Sequence, residues 1–571
     1  MGAVGSPRGG LTPRATASRL LRTTAALLPH RSDYASLGRT WRGDLLAGVT
    51  VGIVALPLAL AFGVSSGVGA EAGLVTAIVA GFVAAVFGGS HVQVSGPTGA
   101  MVVVLAPIVA SHGVGAVALL SVLAGAIVVL LGASRLGRAV AYIPWPVVEG
   151  FTLGIGVIIF LQQVPAAVSS HVPAGLNTAV AAAEAVGSAP WPRAAASIGV
   201  VALVAAVTLL VPKIHRALPA SLIAIIAAAL AVGLLGLDVE RIGELPMSLP
   251  APSLPALGLS DLPALGGPAL AIAALAAIES LLSARVASGL NGPDGRTTGP
   301  YNPDRELVGQ GLASVAAGLF GGMPATGAIA RTAVNVRSGG RSRLAAVVHA
   351  LVLLGVVYLA APLVAEIPLA ALAGVLMVTA ARMVSVRTAR RILGSTRQDA
   401  LAFVLTAVIT VSFDLIVAIQ IGLVAAALLT LRQFAKLGGV RREPIPGPAH
   451  EGDEHIAVFR LDGLMFFGAA ERIVEEMTSQ SSAGVDVVIL RLSQLRYLDA
   501  TGTQALVEAV RTLEARGITV LLKGVQEQHL ELVRRVGVIA ELRHHRHLFD
   551  SLADAVEHAR SHVQRAHARP L

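Results

Sequence analysis

The 571-residue chain has no cysteine, which excludes a disulfide framework and any thiolate metal site. Charged side chains make up only 13% of it and aromatics 4%, while 54% of residues are hydrophobic. So little polar surface cannot cover so much apolar mass in water, and an ordinary soluble protein is excluded. A phosphate-binding loop of the G-x-x-x-x-G-K-[ST] kind is also missing, which sets aside an ATP-driven pump and leaves a gradient as the expected energy source. The 15 histidines read as scattered and without metal-ligand spacing, so neither a metal nor a cofactor is expected, and no catalytic residue is assigned. Residues 1–43 lack the compact charged, apolar and small-residue pattern of a secretory signal. They are expected to form a cytoplasmic tail, in which Arg19 to Leu28 has the pattern of a short amphipathic helix.

What the chain does have is apolar runs. Mean hydropathy is +0.74, and stretches long enough to cross about 30 Å of hydrocarbon recur from Asp44 to Lys436. They divide into about fourteen segments, in halves at about 44–237 and 265–436. A connection carrying Pro246, Pro250, Pro252, Pro255 and Pro263 joins the halves and favours an extended path. Seven spans per half is odd, so the second half is expected to be inverted relative to the first. The formal charge of +9 rests on arginine far more than on lysine, and it gathers at span ends. Arg14, Arg19, Arg22, Arg31, Arg39 and Arg42 precede the first span. Arg382, Arg387, Arg390, Arg391 and Arg397 fill a later loop, and Arg432, Lys436, Arg441 and Arg442 follow the last span. The positive-inside rule then puts both termini in the cytoplasm, in a plasma (inner) membrane. Charges that hug the membrane and form no separate basic domain argue against a nucleic-acid partner.

Two tetrapeptides interrupt long apolar stretches at corresponding places in the halves, Pro97-Thr98-Gly99-Ala100 and Ala325-Thr326-Gly327-Ala328. In lipid the backbone leaves regular helix only where protein or a water-filled cavity satisfies its polar groups, so paired interruptions point to a substrate site. Helices starting there would aim free N–H groups and positive dipole ends inward, making an anion pocket. The competing reading is that Gly and Pro merely kink packed helices. Arg331, one turn past the second start, is a charge at membrane depth costing roughly 2.5–3.5 kcal/mol on insertion scales, so it needs a partner or a substrate unless it snorkels with Arg337 and Arg341. Glu279, with Ser280 and Ser283 nearby, has three open roles: carrying a coupling proton, binding a cation, or pairing with Arg331. Phe62, after Pro57 in the first span, either borders a cavity or packs. Glu149 and Asp414 read as interface residues.

After Arg442 the pattern changes. A linker over 437–452 leads into an α/β domain over 453–562, followed by a tail over 563–571. His455 to Leu461, Val485 to Leu492 and Ile518 to Lys523 read as strands, and Ala469 to Met477 and Gly502 to Arg516 as helices. Asp499 and Thr501 fall at a helix start, where side-chain oxygens cap exposed N–H groups.

These motifs resemble the SulP family of sulfate permeases and related anion transporters, solute carrier family 26 in animals, over nearly everything from Trp41 to His558. The resemblance rests on the first-span pattern around Pro57 to Phe62, on VSGPTGAM at 94–101, on Glu279 with Ser283, and on GGMPATGAIARTAVNVRSGG at 321–340. It implies a polytopic α-helical fold of seven plus seven inverted spans, divided into core and gate domains that work by alternating access, with a cytoplasmic STAS domain. It implies an anion held at Phe62, at the backbone near Thr98, Gly99 and Ala100, and at Ala325, Thr326, Gly327 and Arg331. Coupling is assigned to Glu279 and Ser283, and the STAS loop to Asp499 and Thr501. The expected partners are a small inorganic or carboxylate anion, a coupling proton or sodium, the bilayer and a second copy of the chain. The ATGAIARTA string is similar to sulfate- and C4-dicarboxylate-type members, which favours proton coupling over a sodium-coupled bicarbonate symporter or an anion exchanger. Ala500 stands where phosphorylated STAS proteins carry serine, which leaves Thr501 as the alternative acceptor. Two other readings compete. A nucleobase permease would leave Arg331 and the STAS tail unexplained, and a membrane-anchored STAS sensor would leave the paired helix starts unexplained.

Overall fold

The computed structural model describes residues 27–137, 144–173, 176–214, 218–255, 262–412, 439–466 and 484–567, with isolated positions at 421, 424, 428, 431, 474 and 475. Most of the stretch from Arg19 to Leu28, Asp414, most of the last expected span, most of the helix expected over Ala469 to Met477, and the end of the tail lie outside them. The chain divides into two compact units, Met1–Leu423 and Val424–Leu571.

In the first unit the helices of the first half are α1 Leu37–Ser65, α2 Ala70–Phe87, α3 Gly99–His112, α4 Gly115–Ala133, α5 Trp145–Gln162, α6 Thr178–Gly187, α7 Arg193–Ile214 and α8 Ala220–Leu235. The second half supplies α9 Leu262–Ser288, α10 Pro303–Leu319, α11 Ile329–Arg337, α12 Arg343–Ala365, α13 Leu369–Met383, α14 Val386–Leu393 and α15 Arg397–Ser412. Among the described residues eight helices are long and apolar enough to cross a membrane, a count that does not by itself reach fourteen. Their outer faces carry large exposed apolar side chains, such as Leu130 at 67% and Leu359 at 86%, as a lipid-facing surface requires.

The packing of the halves is reciprocal. Helix α2 lies against α10; α4 packs on α9 and α10, while α12 packs on α1 and α2. A second set repeats the exchange, α5 against α15 and α7 against α13, with α5 and α13 meeting between them. Small residues permit the closest approach. A Cβ on Gly125 of α4 would stand 2.6 Å from the Gly311 carbonyl of α10, and one on Gly311 would stand 2.5 Å from the Gly125 carbonyl.

The first helix starts seven residues before Asp44, which was expected to open the span. Asp44 is instead fully buried and holds the start of α12. Its carboxylate accepts from Arg341 N at 2.6 Å, Ser342 N at 2.9 Å and Ser342 Oγ at 2.6 Å.

The C-terminal unit is a five-stranded sheet in the order β3-β4-β5-β6-β7, comprising Gly439–Glu443, Ile456–Met465, Val487–Leu498, Thr519–Lys523 and Leu548–Phe549. The first pair is antiparallel and the others are parallel. Residues alternate between the two faces, as a strand's period of two demands. Ala457, Phe459, Val488 and Leu490 pack toward α16 Ala500–Ala515, whereas Ile456, Val458, Val487 and Ile489 pack toward α18 Leu552–His567. Helix α17, Glu527–Val536, lies against α16. The predicted strands and the helix after Asp499 are therefore observed. Asp499 Oδ1 accepts from Gly502 N at 2.7 Å as the cap of α16, and Thr501 is exposed in its first turn.

The glycine contact predicts a steric limit. Gly311→Val should overpack α4 against α10 and lower stability by about 1–3 kcal/mol. Gly266→Ala in α9, where an added Cβ meets nothing within 4 Å, should leave it unchanged. Thermal unfolding of the detergent-purified protein checks both.

Candidate functional site

Two short strands, β1 Ser95–Gly96 and β2 Thr326–Gly327, cross as an antiparallel ladder that pairs Ser95 with Gly327 and Gly96 with Thr326. Ala328 N adds a 2.9 Å bond to Val94 O. Each strand runs straight into a short helix, α3 of 14 residues and α11 of nine, about 21 Å and about 14 Å long at 1.5 Å per residue. Neither length crosses about 30 Å of hydrocarbon, so both helices start inside the protein's membrane-embedded part. The predicted interruptions are thus real helix starts, and the chain leaves helix where the other half supplies its hydrogen bonds.

Neither start is capped by a side chain. Thr98 is the N-cap of α3, in extended conformation at φ −131°, and Ala328 is that of α11. The first-turn amides of a helix have no intrahelical acceptor, so an uncapped start is a donor site. Thr98 is a residue type that normally caps, yet its hydroxyl turns to Glu279 Oε2 at 2.9 Å. Thr326 Oγ1 reaches the same oxygen at 2.9 Å and lies 3.1 Å from Thr98 Oγ1. One carboxylate oxygen on α9 therefore gathers a hydroxyl from each interruption. Glu279 is half-buried where Thr98 and Thr326 are buried.

Arg331 does not snorkel. It is 2% exposed, Nη2 donates to Pro97 O at 2.6 Å, and Nη1 is buried without a protein partner. No ion pair joins it to Glu279 among the described residues, so the simple paired reading of the two charges fails. The guanidinium lies along Gly96, where an added Cβ would come within 2.8 Å of Nη1. Gly99 is required by close approach as well, since a Cβ there would run into Ile159 Cδ1 of α5 and stand 3.4 Å from Phe62 Cε1. Phe62, 7% exposed, thus packs beside the start of α3, with Ala100 buried in the same turn. Ala325 N donates to Ser314 Oγ at 3.2 Å, which leaves Ala325 a structural part of the crossing.

The sequence reading brought together Phe62, Thr98, Gly99, Ala100, Glu279, Thr326, Gly327 and Arg331. Ser283, assigned with Glu279 to coupling, has its contact one turn further on. The Ser283 hydroxyl lies 3.5 Å from Thr332 Oγ1, and Thr332 in turn accepts from Val94 N. Ser280, one turn nearer the centre, accepts from Gly327 N at 3.0 Å. Other contributors escaped notice. Gln93 donates to Ser280 O at 3.3 Å, and Gln310 bridges Ser95 Oγ at 2.6 Å and Glu306 Oε1 at 2.8 Å. Glu306, 1% exposed, also accepts from Gly89 N and Ser90 N, both at 2.8 Å. The signal for Gln310 was an amide among small and apolar residues in the later part of Pro303–Leu319. Away from this site, the expectation that the histidines show no ligand spacing is corrected, because His558 and His562 stand one helical turn apart beside His547.

The sulfate permease family profile matches residues 41–406, and the STAS domain profile matches 448–555. YvdB of Bacillus subtilis, named as a sulfate transporter, is 33% identical over 514 residues, covering 89% of this chain and 96% of its own. The bicarbonate transporter BicA of Synechocystis is 32% identical over 545 residues, covering 91% and 95%. The solved structure of SLC26A9 superposes with a TM-score of 0.82 over 99% of this chain and 98% of that one, at 16% identity. The transmembrane domain of a cyanobacterial BicA superposes with a TM-score of 0.60 over 68% of this chain and 98% of that one, at 32% identity.

The geometry ranks two serines. Ser280→Ala leaves the buried Gly327 N–H without its acceptor and should cost about 1–3 kcal/mol of stability, with a matching loss of transport. Ser283→Ala gives up only a 3.5 Å contact and should cost less than half as much. Thermal unfolding and uptake measured on both variants test the order.

Proposed function

Because the chain belongs to the sulfate permease family of anion transporters, we propose that it is a secondary active carrier for sulfate, a C4-dicarboxylate such as fumarate, or bicarbonate, working by alternating access and coupled to protons. The observation that carries this reading is the pair of uncapped helix starts, with Glu279 held by Thr98 and Thr326 between them. Amides at two helix starts supply donors and positive dipole ends to an oxyanion or carboxylate without a cation having to enter the pocket. Phe62 closes the apolar side. Arg331 supplies fixed positive charge from behind, through the Pro97 carbonyl that it holds.

Glu279 is the coupling group. As a carboxylate it accepts both threonine hydroxyls and opposes an incoming anion. Once protonated it opposes the anion no longer, so proton and anion enter together. Among sodium-coupled carriers a bound cation would do this work, and here Arg331 already provides a permanent positive charge near the crossing. Near-equal identity to proteins named for sulfate and for bicarbonate gives no preference between the branches, so the coupling is argued from the pocket. The remaining assignments accompany this reading: a transmembrane domain over 44–436, a linker over 437–452, a STAS domain over 453–562 that supports a homodimer, and both termini on the cytoplasmic side of the plasma membrane. Membership of an anion-transporter family removes the nucleobase permease and anchored-sensor readings.

In proteoliposomes, uptake of labelled sulfate, fumarate or bicarbonate should rise with an inward proton gradient and remain unchanged when sodium replaces potassium. Glu279→Gln should abolish the response to the gradient while retaining exchange of internal for external anion, because a neutral side chain mimics the protonated state. Uptake that ignores pH and requires sodium defeats proton coupling, and absence of flux for all three anions defeats the substrate class.

A further inference from the structure

Three imidazoles meet on one side of the C-terminal sheet. His558 and His562 stand one turn apart on α18, and their Nε2 atoms lie 3.2 Å from each other. His547 comes from the segment just before β7. Its backbone is fixed at both ends, its N–H donating to His544 O at 3.0 Å and its C=O accepting from Leu522 N at 2.8 Å. One ring nitrogen from each of the three lies within 4.8 Å of the others. Ring centroids are 4.8 Å apart for His558 and His562, 5.4 Å for His547 and His558, and 5.3 Å for His547 and His562.

His547 is the informative member. It is 4% exposed, and its Nδ1 is buried without a hydrogen-bond partner, a costly state for a polar atom unless something occupies the other side. We propose that His547, His558 and His562 form a binding site for a divalent transition ion of the zinc type, with water or an anion in the fourth position.

Three neutral imidazoles and one open position form a recognised zinc donor set. Tetrahedral nitrogen ligands about 2.0–2.1 Å from a metal lie about 3.3–3.4 Å apart, close to the 3.2 Å between His558 and His562. The cationic neighbours are committed elsewhere. Arg565 donates to Ser561 O at 2.9 Å and to Ser561 Oγ at 3.1 Å, and Arg543 pairs with Glu514 at 2.8 Å. Their residual field favours an anionic fourth ligand. An ion bound here adds a tie between the last helix and the edge of the sheet, since α18 packs on β4 to β7 and His547 leads into β7. A second group, His455, Asp486 and His567, is more exposed and already has an internal partner, with His455 Nδ1 2.8 Å from Gly484 O.

The test uses the full-length protein in detergent, freed of any polyhistidine tag and titrated with Co2+, whose visible absorption reports tetrahedral nitrogen ligation. One Co2+ per chain should bind with that spectrum and be displaced by Zn2+. His558→Gln and His562→Gln, on the less buried helix face, should each weaken binding on the order of 100-fold with the far-ultraviolet circular dichroism unchanged. His567→Gln should leave binding intact. No tetrahedral spectrum in the parent protein, or uptake that survives His562→Gln and disappears in His567→Gln, overturns the proposal.

Discussion

Backbone amides have no partner in hydrocarbon, and this membrane unit is arranged around a place where each half of the chain breaks helix inside it. The breaks at Ser95–Gly96 and Thr326–Gly327 satisfy each other through a two-residue ladder, and several nearby polar side chains tie into that crossing. Ser280 takes the Gly327 amide, Ser314 takes that of Ala325, and Gln310 links Ser95 to Glu306. With the strands tied down, the helix starts beyond them carry no side-chain cap. The same economy explains why Thr98, a natural cap, points away from its own helix.

Charge follows from this crossing. Arg331 does not face Glu279 as a partner; it holds a carbonyl in the opposite half, with one nitrogen left over. Glu279 keeps its hydroxyl partners and some exposure. A carboxylate and a guanidinium that are close yet unpaired retain their separate fields. A buried ion pair would have cancelled them and left the pocket electrically inert.

The positions of the helix starts were legible because Pro and Gly interrupt apolar runs twice, at Pro97 and at Gly327, and because Arg331 is too costly at depth to be incidental. The α/β tail was legible from its alternation, and Asp499 from the strand-to-helix switch that it caps. Gln93 and Gln310 were not legible, since a lone amide in an apolar stretch has many explanations and only the fold shows what it meets, and Ser280 was visible beside Glu279 but not as the acceptor for Gly327. Asp44 looked like the mark of a span boundary because charge usually lies outside lipid. It proved to be buried, binding the start of α12 some 300 residues away in sequence. The histidines were missed for a related reason. The four-residue step from His558 to His562 lies on one helix, but the third ring arrives only because β7 is laid beside β6.

The contact of Gly99 with Ile159 lies on the seam between the two sets of helices, α3 on one side and α5 on the other. Any side chain larger than hydrogen at position 99 would collide with the branched tip of Ile159, so the two helices sit this near to each other there because Gly99 carries no Cβ.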